Sequence, residues 1–218
     1  VLSTIPPFFE LPSLKVIGTG AEICPPQVSN HWKQCVKLLN MYGPTECTVA
    51  VNQFVFDEIH PGNTIGTAIK NMQLYVLDQY LRPVPNGVIG DLYISGIQLA
   101  RGYLNRPELT AEKFLQNPFC EEKNSIYSRM YQTGDLVKKL PDGLIEYVGR
   151  ADHQVKIRGY RIELAEIEQA LCAIPGIKNA SAQVHTQSEN RTSLRAFVAG
   201  TSDIPFIKNE LGKKLPLY

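Results

Sequence analysis

The pattern of apolar and polar positions in the first fifty residues predicts a strand, a helix and a second strand. The run SLKVIGTGAEI, residues 13–23, is typical of a buried strand that ends in glycines. CPPQVSNHWKQCVKLL predicts a helix, because Pro25 and Pro26 fall near its first turn, where a missing N–H costs little. Residues 36–41 contain the next strand. This order is typical of a parallel α/β layer, and the turns GTGAE and YGPTE fall at the strand ends where such layers bind ligands.

Between residues 51 and 147 the pattern changes to short β-type runs divided by turn signals such as VPNG and LPDG. The runs are VNQFVF, MQLYVLD, GDLYISG, DLVKKL and LIEYVG. They predict an antiparallel barrel or sandwich attached to the α/β layer. The segment RPELTAEKF adds a short helix.

After Gly149 the pattern changes again. HQVKIRG predicts a strand, and RIELAEIEQALCAI predicts an amphipathic helix with Leu164, Ile167 and Leu171 on one face. AQVHTQ and LRAFVAG predict a strand pair, and IPFIKNELGKKL another helix. We therefore expect a mixed α/β chain with a boundary at residues 150–152.

The expected domains are residues 1–150 and residues 151–218. In the first domain, residues 1–50 form the α/β layer and residues 51–150 the β-rich part. The second is a small α+β unit of about 70 residues, within the usual size range of domains.

Composition excludes several classes of protein. A chain of 218 residues with 44% hydrophobic content can bury a core. A net charge of +1 argues against nucleic acid or an anionic membrane as a partner. No apolar run approaches the roughly 20 residues of a membrane span. The five cysteines are dispersed and form no CxxC pair, which favours reduced thiols in a cytoplasmic protein.

The two ends of the sequence indicate a piece of a longer polypeptide. Val1 begins inside a strand-like run without an initiator Met, and Tyr218 directly follows KKLPL. The start has neither the basic head nor the cleavage site of a signal peptide.

Four motifs stand out together: YGPTE, GDLYISGIQLARGYL, YQTGDL and GRADHQVKIRGYRIELAEIE. Each alone is compatible with ordinary structure, because Gly-Pro and Thr-Gly-Asp are common turn residues. ARGYL could place an arginine on aromatic rings, and the basic run could be an exposed strand edge. In this order and spacing, however, the set closely resembles the adenylation domains of nonribosomal peptide synthetases, in the adenylate-forming (AMP-binding) superfamily.

The resemblance covers nearly the whole chain, and GRADHQVKIRGYRIELAEIE is its most specific part. It implies the C-terminal part of the large adenylate-forming domain, followed by a truncated, mobile C-terminal domain. The implied cofactors are ATP and Mg²⁺, with a phosphopantetheine carried by a partner domain. The implied partners are an amino-acid substrate and the peptidyl-carrier and condensation domains of a parent synthetase.

The resemblance also implies a role for residues of the YGPTE and TGD turns. Tyr42 would stack on adenine, Thr45 would bind the α-phosphate, and Glu46 would hold Mg²⁺. Asp135 would accept hydrogen bonds from the ribose hydroxyls, and Arg150 would reach the nucleotide. The remaining nucleotide-binding positions are Gly20, Ala21, Glu22, Asn40, Met41, Gly43 and Pro44.

Other positions match the substrate pocket and the moving domain of the family. The pocket positions are Thr4, Ile17, Thr19, Met41, Val49 and Ala50. Because the set carries no charge, we expect an uncharged substrate side chain. Asp152 matches the hinge, and Gly159 matches the glycine beside the phosphopantetheine arm; each alone could also be an ordinary turn residue.

The implied reaction has two steps. A substrate carboxylate attacks the α-phosphorus of ATP, and a carrier thiol then takes the acyl group from the adenylate. The phosphate loop, the aspartate that grips the substrate amino group and the final Asn-Gly-Lys motif of the family are not found in these residues. We therefore expect the 218-residue piece alone to be inactive and to expose an apolar face. Two alternatives stay open: an acyl-CoA or aryl-acid ligase of the same superfamily, and a non-catalytic nucleotide-binding module.

Overall fold

The computed structural model describes residue 2 and residues 12–152, 154–157, 159–188 and 191–216. The chain divides into two compact units, Val1–Ala151 and Asp152–Tyr218. In the described part, no helix is both long enough and apolar enough to cross a membrane.

The first unit contains strands β1 to β9 and helices α1 and α2. In chain order the elements are β1 (Val16–Gly20), α1 (Pro26–Cys35), β2 (Lys37–Tyr42), β3 (Asn52–Val55), β4 (Thr64–Ala68), β5 (Met72–Leu77), β6 (Ile89–Gly96), α2 (Pro107–Lys113), β7 (Phe114–Gln116), β8 (Arg129–Lys139) and β9 (Ile145–Arg150). The nine strands form one mixed sheet in the order β1-β2-β3-β4-β9-β8-β6-β5, with β7 paired to β8.

The beginning of the unit is the parallel α/β layer that the sequence predicts. β1 pairs with β2 in parallel, so their carboxyl ends lie side by side, with Gly20 opposite Met41. Helix α1 connects them and packs Trp32 against Leu38 in one apolar cluster. β1 differs from the prediction of a buried strand, because it lies at the edge of the sheet and Val16 is 49% exposed.

The β-rich part continues the same sheet. β3 is antiparallel to both β2 and β4, and β4 is antiparallel to β9, so the α/β layer runs directly into the antiparallel strands. The core of this part contains Val51, Leu92, Ile94, Tyr131 and Val137. The short strands β4 and β7 were not predicted. Each is short, and β4 contains Gly66, which has a low intrinsic preference for strands.

The second unit contains β10 (Gln154–Ile157), β11 (Tyr160–Glu163), α3 (Leu164–Cys172), β12 (Ile177–Ser188), β13 (Arg191–Gly200) and α4 (Ile204–Lys214). β10 pairs with β11 and β12 pairs with β13, both antiparallel. Leu171, Ile174 and Ile207 form its apolar core. The strand pair and the last helix agree with the sequence prediction.

The predicted helix in RIELAEIEQALCAI is too long at its N-terminal end. The helix begins at Leu164, because Tyr160–Glu163 is strand β11. Cross-strand pairing therefore determines the structure of these residues, although the apolar spacing of the helix continues into them.

Candidate functional site

The YGPTE bend follows β2 and is tightly folded on itself. The N–H of Val51 donates to the Tyr42 carbonyl oxygen at 2.9 Å, which closes the bend. A Cβ at Gly43 would lie 2.5 Å from the Val49 carbonyl oxygen, so no larger residue fits there. Thr48 and Val49 have φ values of 54° and 70°, a left-handed conformation that β-branched residues rarely adopt. The bend is therefore strained, as functional turns often are.

Tyr42 joins this bend to the TGD motif. Its side chain is buried and its hydroxyl donates to Oδ2 of Asp135. Its N–H donates to Oδ1 of the buried Asn52 at 3.0 Å. Burial, and then the neighbouring Asp135 carboxylate, raise the pKa of the Tyr42 phenol well above its usual range. Tyr42 consequently keeps its proton and acts as the donor to Asp135.

Asp135 also forms a buried ion pair with Arg150. The two residues lie opposite each other on β8 and β9, and Arg150 Nη1 is 3.0 Å from Asp135 Oδ1. Their side chains are 2% and 10% exposed, respectively. The same Nη1 donates to the Thr133 carbonyl oxygen at 3.0 Å, and the Asp135 N–H donates to Thr133 Oγ1 at 2.9 Å. Asp135 therefore has its charge balanced and its orientation fixed.

Glu46 is held by the ARGYL and YQTGD motifs. Its Oε1 accepts a hydrogen bond from the Tyr103 hydroxyl at 2.6 Å, and that hydroxyl lies 3.3 Å from the Tyr131 hydroxyl. The Glu46 carbonyl oxygen accepts from the Ala100 N–H at 2.7 Å. Tyr131 and Asp135 both belong to β8. Glu46 is therefore linked, through Tyr103 and Tyr131, to the strand that carries Asp135. Three of the four motifs, YGPTE, ARGYL and YQTGDL, thus meet in one part of the first unit, together with Arg150 from the beginning of the fourth.

The GTGAE turn lies beside this region. Gly20 is the last residue of β1, and a Cβ there would lie 2.5 Å from the Met41 carbonyl oxygen. Ala21 follows in a left-handed conformation, with a φ of 71°, and is exposed together with Glu22. Pro44 precedes the short 3-10 turn Thr45–Cys47, in which Thr45 is exposed. These positions border the strand ends.

Asn40 is located differently from the other predicted nucleotide-binding residues. It is 4% exposed, and its Nδ2 donates to the Thr64 carbonyl oxygen at 2.8 Å. This hydrogen bond therefore connects β2 to the first residue of β4.

The predicted pocket residues do not gather in one place. Along β1 and β2 the side chains alternate between faces, and Ile17 packs in the apolar cluster beneath α1. Thr19 donates to the Leu39 carbonyl oxygen at 3.1 Å. Met41 lies over Gly18 on the opposite face, and Val49 is 82% exposed. Ala50 is half-buried in the bend, and Thr4 lies outside the described residues.

The predicted hinge and pantetheine positions belong to the second unit. Asp152 is its first residue, and Asp152 Oδ1 accepts from the Gln154 N–H at 3.1 Å. Gly159 lies between β10 and β11 with a φ of 79°, which favours glycine.

The side chains of this site suit only a cation that also takes ligands from a bound phosphate or water. Across the described ranges, no group of three or more His, Cys, Asp and Glu side chains is arranged to hold a metal ion. Mg²⁺ commonly uses one or two protein carboxylates and completes its shell with phosphates and water. Glu46 alone suits that arrangement, whereas a site made only of protein ligands is not supported here.

Sequence reasoning missed the roles of Tyr103 and Tyr131 in this network. Both lie inside the recognised motifs, but nothing local shows that Tyr103 contacts Glu46, 57 residues away, or that Tyr131 contacts Tyr103. The alternative reading of ARGYL, an arginine on aromatic rings, does not describe Arg101, which is exposed; Arg129 lies over the Phe114 ring instead, 5.1 Å from its centroid.

Comparison with known proteins identifies relatives along most of the chain. The family model described as AMP-binding enzyme matches residues 5–104. Bacitracin synthase 3 of Bacillus licheniformis is 43% identical over 95% of this chain, which spans 3% of that protein. An artificially fused adenylation–PCP di-domain from Klebsiella oxytoca superposes with a TM-score of 0.79 at 25% identity, covering 93% of this chain and 38% of that one. A four-domain nonribosomal peptide synthetase bound to AMP and glycine gives a TM-score of 0.58 at 36% identity, covering 95% and 17%.

Proposed function

The chain belongs to the AMP-binding enzyme family, as part of a nonribosomal peptide synthetase adenylation domain, and we propose that the protein containing it activates an amino acid with ATP. The activated acyl group then passes to the phosphopantetheine thiol of a carrier domain. The observation that supports this most strongly is the meeting of YGPTE, ARGYL and YQTGDL, with Arg150 of the fourth motif, around Tyr42, Glu46 and Asp135. The proposal concerns the longer protein, since the chain spans only a small part of its curated relatives.

The nucleotide is proposed to bind beside the carboxyl ends of β1 and β2. Asp135 accepts hydrogen bonds from the ribose hydroxyls, which a carboxylate can do because it offers about four lone-pair sites. The Tyr42 hydroxyl occupies one of these sites, so nucleotide binding replaces or shares that hydrogen bond. A small shift of the Tyr42 ring then exposes its face to adenine. Arg150 stays paired with Asp135 and keeps the carboxylate oriented.

The triphosphate is proposed to lie over the 3-10 turn. The exposed hydroxyl of Thr45 would donate to the α-phosphate, and Glu46 would hold a Mg²⁺ ion. When bound, the cation neutralises phosphate charge and stabilises the leaving pyrophosphate. Glu46 supplies one carboxylate ligand, fixed by the Tyr103 hydroxyl.

Chemically, the first step needs orientation and charge neutralisation more than proton transfer. A carboxylate oxygen of the amino acid forms a bond to the α-phosphorus, and the bond from that phosphorus to the pyrophosphate oxygen breaks. In the second step the carrier thiol releases its proton to solvent and its sulfur bonds to the acyl carbon, while the bond from that carbon to the phosphate oxygen breaks and AMP leaves. Neither step requires a nucleophilic side chain from this chain.

The substrate is proposed to have an uncharged side chain. The matched pocket positions carry methyl groups, a thioether and hydroxyls, so a charged side chain would be buried without a partner. The pocket positions are dispersed in this chain, and the proposal assumes that other segments of the synthetase complete the wall.

Condensation and carrier domains are the proposed partners. One solved relative is an adenylation–PCP di-domain, and another is a four-domain nonribosomal peptide synthetase. In the second unit, Gly159 provides a position without a side chain for the phosphopantetheine arm, and Asp152 is the proposed hinge. The proposed cellular location is the cytoplasm, where the five cysteines would stay reduced.

Amino-acid-dependent pyrophosphate exchange by the complete adenylation domain tests the proposal. We expect exchange with one or a few uncharged amino acids, and strong losses in Glu46→Gln and Asp135→Asn. Activity only with aryl or fatty acids and coenzyme A would favour the acyl-CoA or aryl-acid ligase. Calorimetric binding of ATP without any exchange would favour a non-catalytic module.

A further inference from the structure

Residues 100–103, ARGY, form two hydrogen bonds to Glu46. The Ala100 N–H donates to the Glu46 carbonyl oxygen at 2.7 Å, and the Tyr103 hydroxyl donates to its carboxylate at 2.6 Å. The first contact fixes the backbone and the second fixes the carboxylate. Glu46 therefore cannot change its orientation without breaking contacts to this one segment.

Arg129 fixes the beginning of the segment. Its Nη1 donates to the Ala100 carbonyl oxygen at 3.3 Å, and its Nη2 donates to the Arg101 carbonyl oxygen at 3.1 Å. A guanidinium group is suited to this, because it presents several N–H donors in a rigid plane. The same group lies over the Phe114 ring, 5.1 Å from its centroid, which further limits its movement.

Thr110 fixes the end of the segment. The Tyr103 N–H donates to Thr110 Oγ1 at 2.9 Å. Gly102 makes this approach possible, since its φ is 151° and a Cβ there would lie 2.3 Å from Thr110 Cγ2. The Tyr103 ring also packs edge-on against Phe114, with centroids 5.7 Å apart. Tyr103 is therefore held by its backbone and by its ring, independently of Glu46.

A second phenol supports the first. Tyr131 is 1% exposed, and its hydroxyl lies 3.3 Å from that of Tyr103. An ionised carboxylate can only accept, so Tyr103 uses its single proton for Glu46. Tyr131 must then be the donor to Tyr103. In such a series of hydrogen bonds each bond strengthens the next, so the bond from Tyr131 makes Tyr103 a better donor to Glu46.

We propose that Tyr103 is a positioning residue that orients the Glu46 carboxylate towards a divalent cation, and that ARGY is built to hold Tyr103 for this task. This inference rests on the proposed role of Glu46 in the adenylation reaction. It assigns a function to the ARGYL motif, which otherwise contributes no group to the proposed reaction.

The test measures cation binding directly in the complete adenylation domain. Mn²⁺ binding in the presence of a non-hydrolysable ATP analogue is titrated by electron paramagnetic resonance for the wild type, Glu46→Gln, Tyr103→Phe and the double variant. Tyr75→Phe is the matched control, because that phenol contacts Gln73 at 2.5 Å and packs on Phe119. Affinity for the analogue without metal is measured in parallel.

Tyr103→Phe is expected to weaken Mn²⁺ binding roughly tenfold, the loss typical of one charge-assisted hydrogen bond. Metal-free affinity for the analogue is expected to stay unchanged, and the double variant to bind no more weakly than Glu46→Gln alone. Mn²⁺ binding by Tyr103→Phe equal to that of Tyr75→Phe, while Glu46→Gln weakens it, would overturn the inference. Unchanged binding by Glu46→Gln would instead refute the proposed role of Glu46.

A second variant covers the case in which Tyr103→Phe does not fold. Arg129→Lys keeps the positive charge but loses the planar fork on two carbonyl oxygens. We expect it to weaken Mn²⁺ binding in the same direction by a few-fold. Wild-type Mn²⁺ affinity in this variant would contradict the role of ARGY as the holder of Tyr103.

Discussion

Replacing Asp135 by asparagine should destabilise the first unit strongly. The substitution keeps the shape of the side chain but removes the charge that balances Arg150. The arginine side chain is only 10% exposed, so its charge would remain in a largely dehydrated place. Asparagine would also be a weaker acceptor for the Tyr42 hydroxyl.

The structure sets the size of this effect. Removing one partner of a buried ion pair costs about 3–5 kcal/mol, and we expect the lower end because asparagine keeps one acceptor oxygen. For a protein of this size, about 1 kcal/mol corresponds to about 2–4 °C in Tm. Asp135→Asn should therefore lower the Tm by roughly 6–12 °C.

Circular dichroism melting of wild type and variants is the assay. Asp78→Asn is the matched control, because its partner Arg82 is 69% exposed and pairs at the surface; we expect a shift of about 1 °C. Tyr42→Phe should cost about 1.5 kcal/mol, and the double variant should cost less than the sum because both changes remove the same hydrogen bond. A Tm of Asp135→Asn that matches Asp78→Asn would refute the reasoning.

Three further predictions concern pH, the bend and the chain itself. The His60 ring nitrogens each lie 2.7 Å from a carboxylate, of Asp57 and Asp142, and these hydrogen bonds raise the pKa of His60. The stabilisation by His60 is therefore complete below its unfolded pKa of about 6.5 and is lost as the pH rises through the folded value. Melting should show a larger Tm difference between wild type and His60→Gln at pH 5.5 than at pH 9; an equal difference would contradict the ion pairs. Gly43→Ala should lower the Tm, since its Cβ would meet the Val49 carbonyl oxygen at 2.5 Å, whereas Gly149→Ala, with open space around it, should cost less in the same melting series; equal losses would count against the tight bend. The 218-residue chain alone should give no pyrophosphate exchange above background, and near-normal turnover would refute its dependence on other segments.

The sequence predicted correctly those helices and strands whose formation depends on residues close together in the chain. The β1–α1–β2 layer, the short helix α2, the pair β12–β13 and the helix α4 all carry apolar spacing or proline signals that act within a few residues. The prediction was wrong where pairing with another strand decided the outcome. Tyr160–Glu163 is a strand because it pairs with Gln154–Ile157, and β1 is less buried than its apolar run indicates because it lies at the edge.

The candidate site shows the same limit. Motif order was sufficient to expect Tyr42, Glu46, Asp135 and Arg150 in one place. The structure joins Tyr42, Asp135 and Arg150 in one network and links Glu46 through Tyr103 to Tyr131, on the same strand as Asp135. It was insufficient to show that Asp135 is covered, because Tyr42 is 93 residues away along the chain. The hydrogen bond from Tyr103 to Glu46 likewise joins residues that are far apart in the sequence.

The central claim is that these motifs form a single nucleotide site. The most direct measurement is a crystal structure of the complete adenylation domain with Mg²⁺ and a non-hydrolysable ATP analogue. We expect the ribose hydroxyls on the Asp135 carboxylate, the adenine against the Tyr42 ring and the cation on Glu46. A nucleotide bound elsewhere, with Asp135 still covered by the Tyr42 hydroxyl, would contradict the claim.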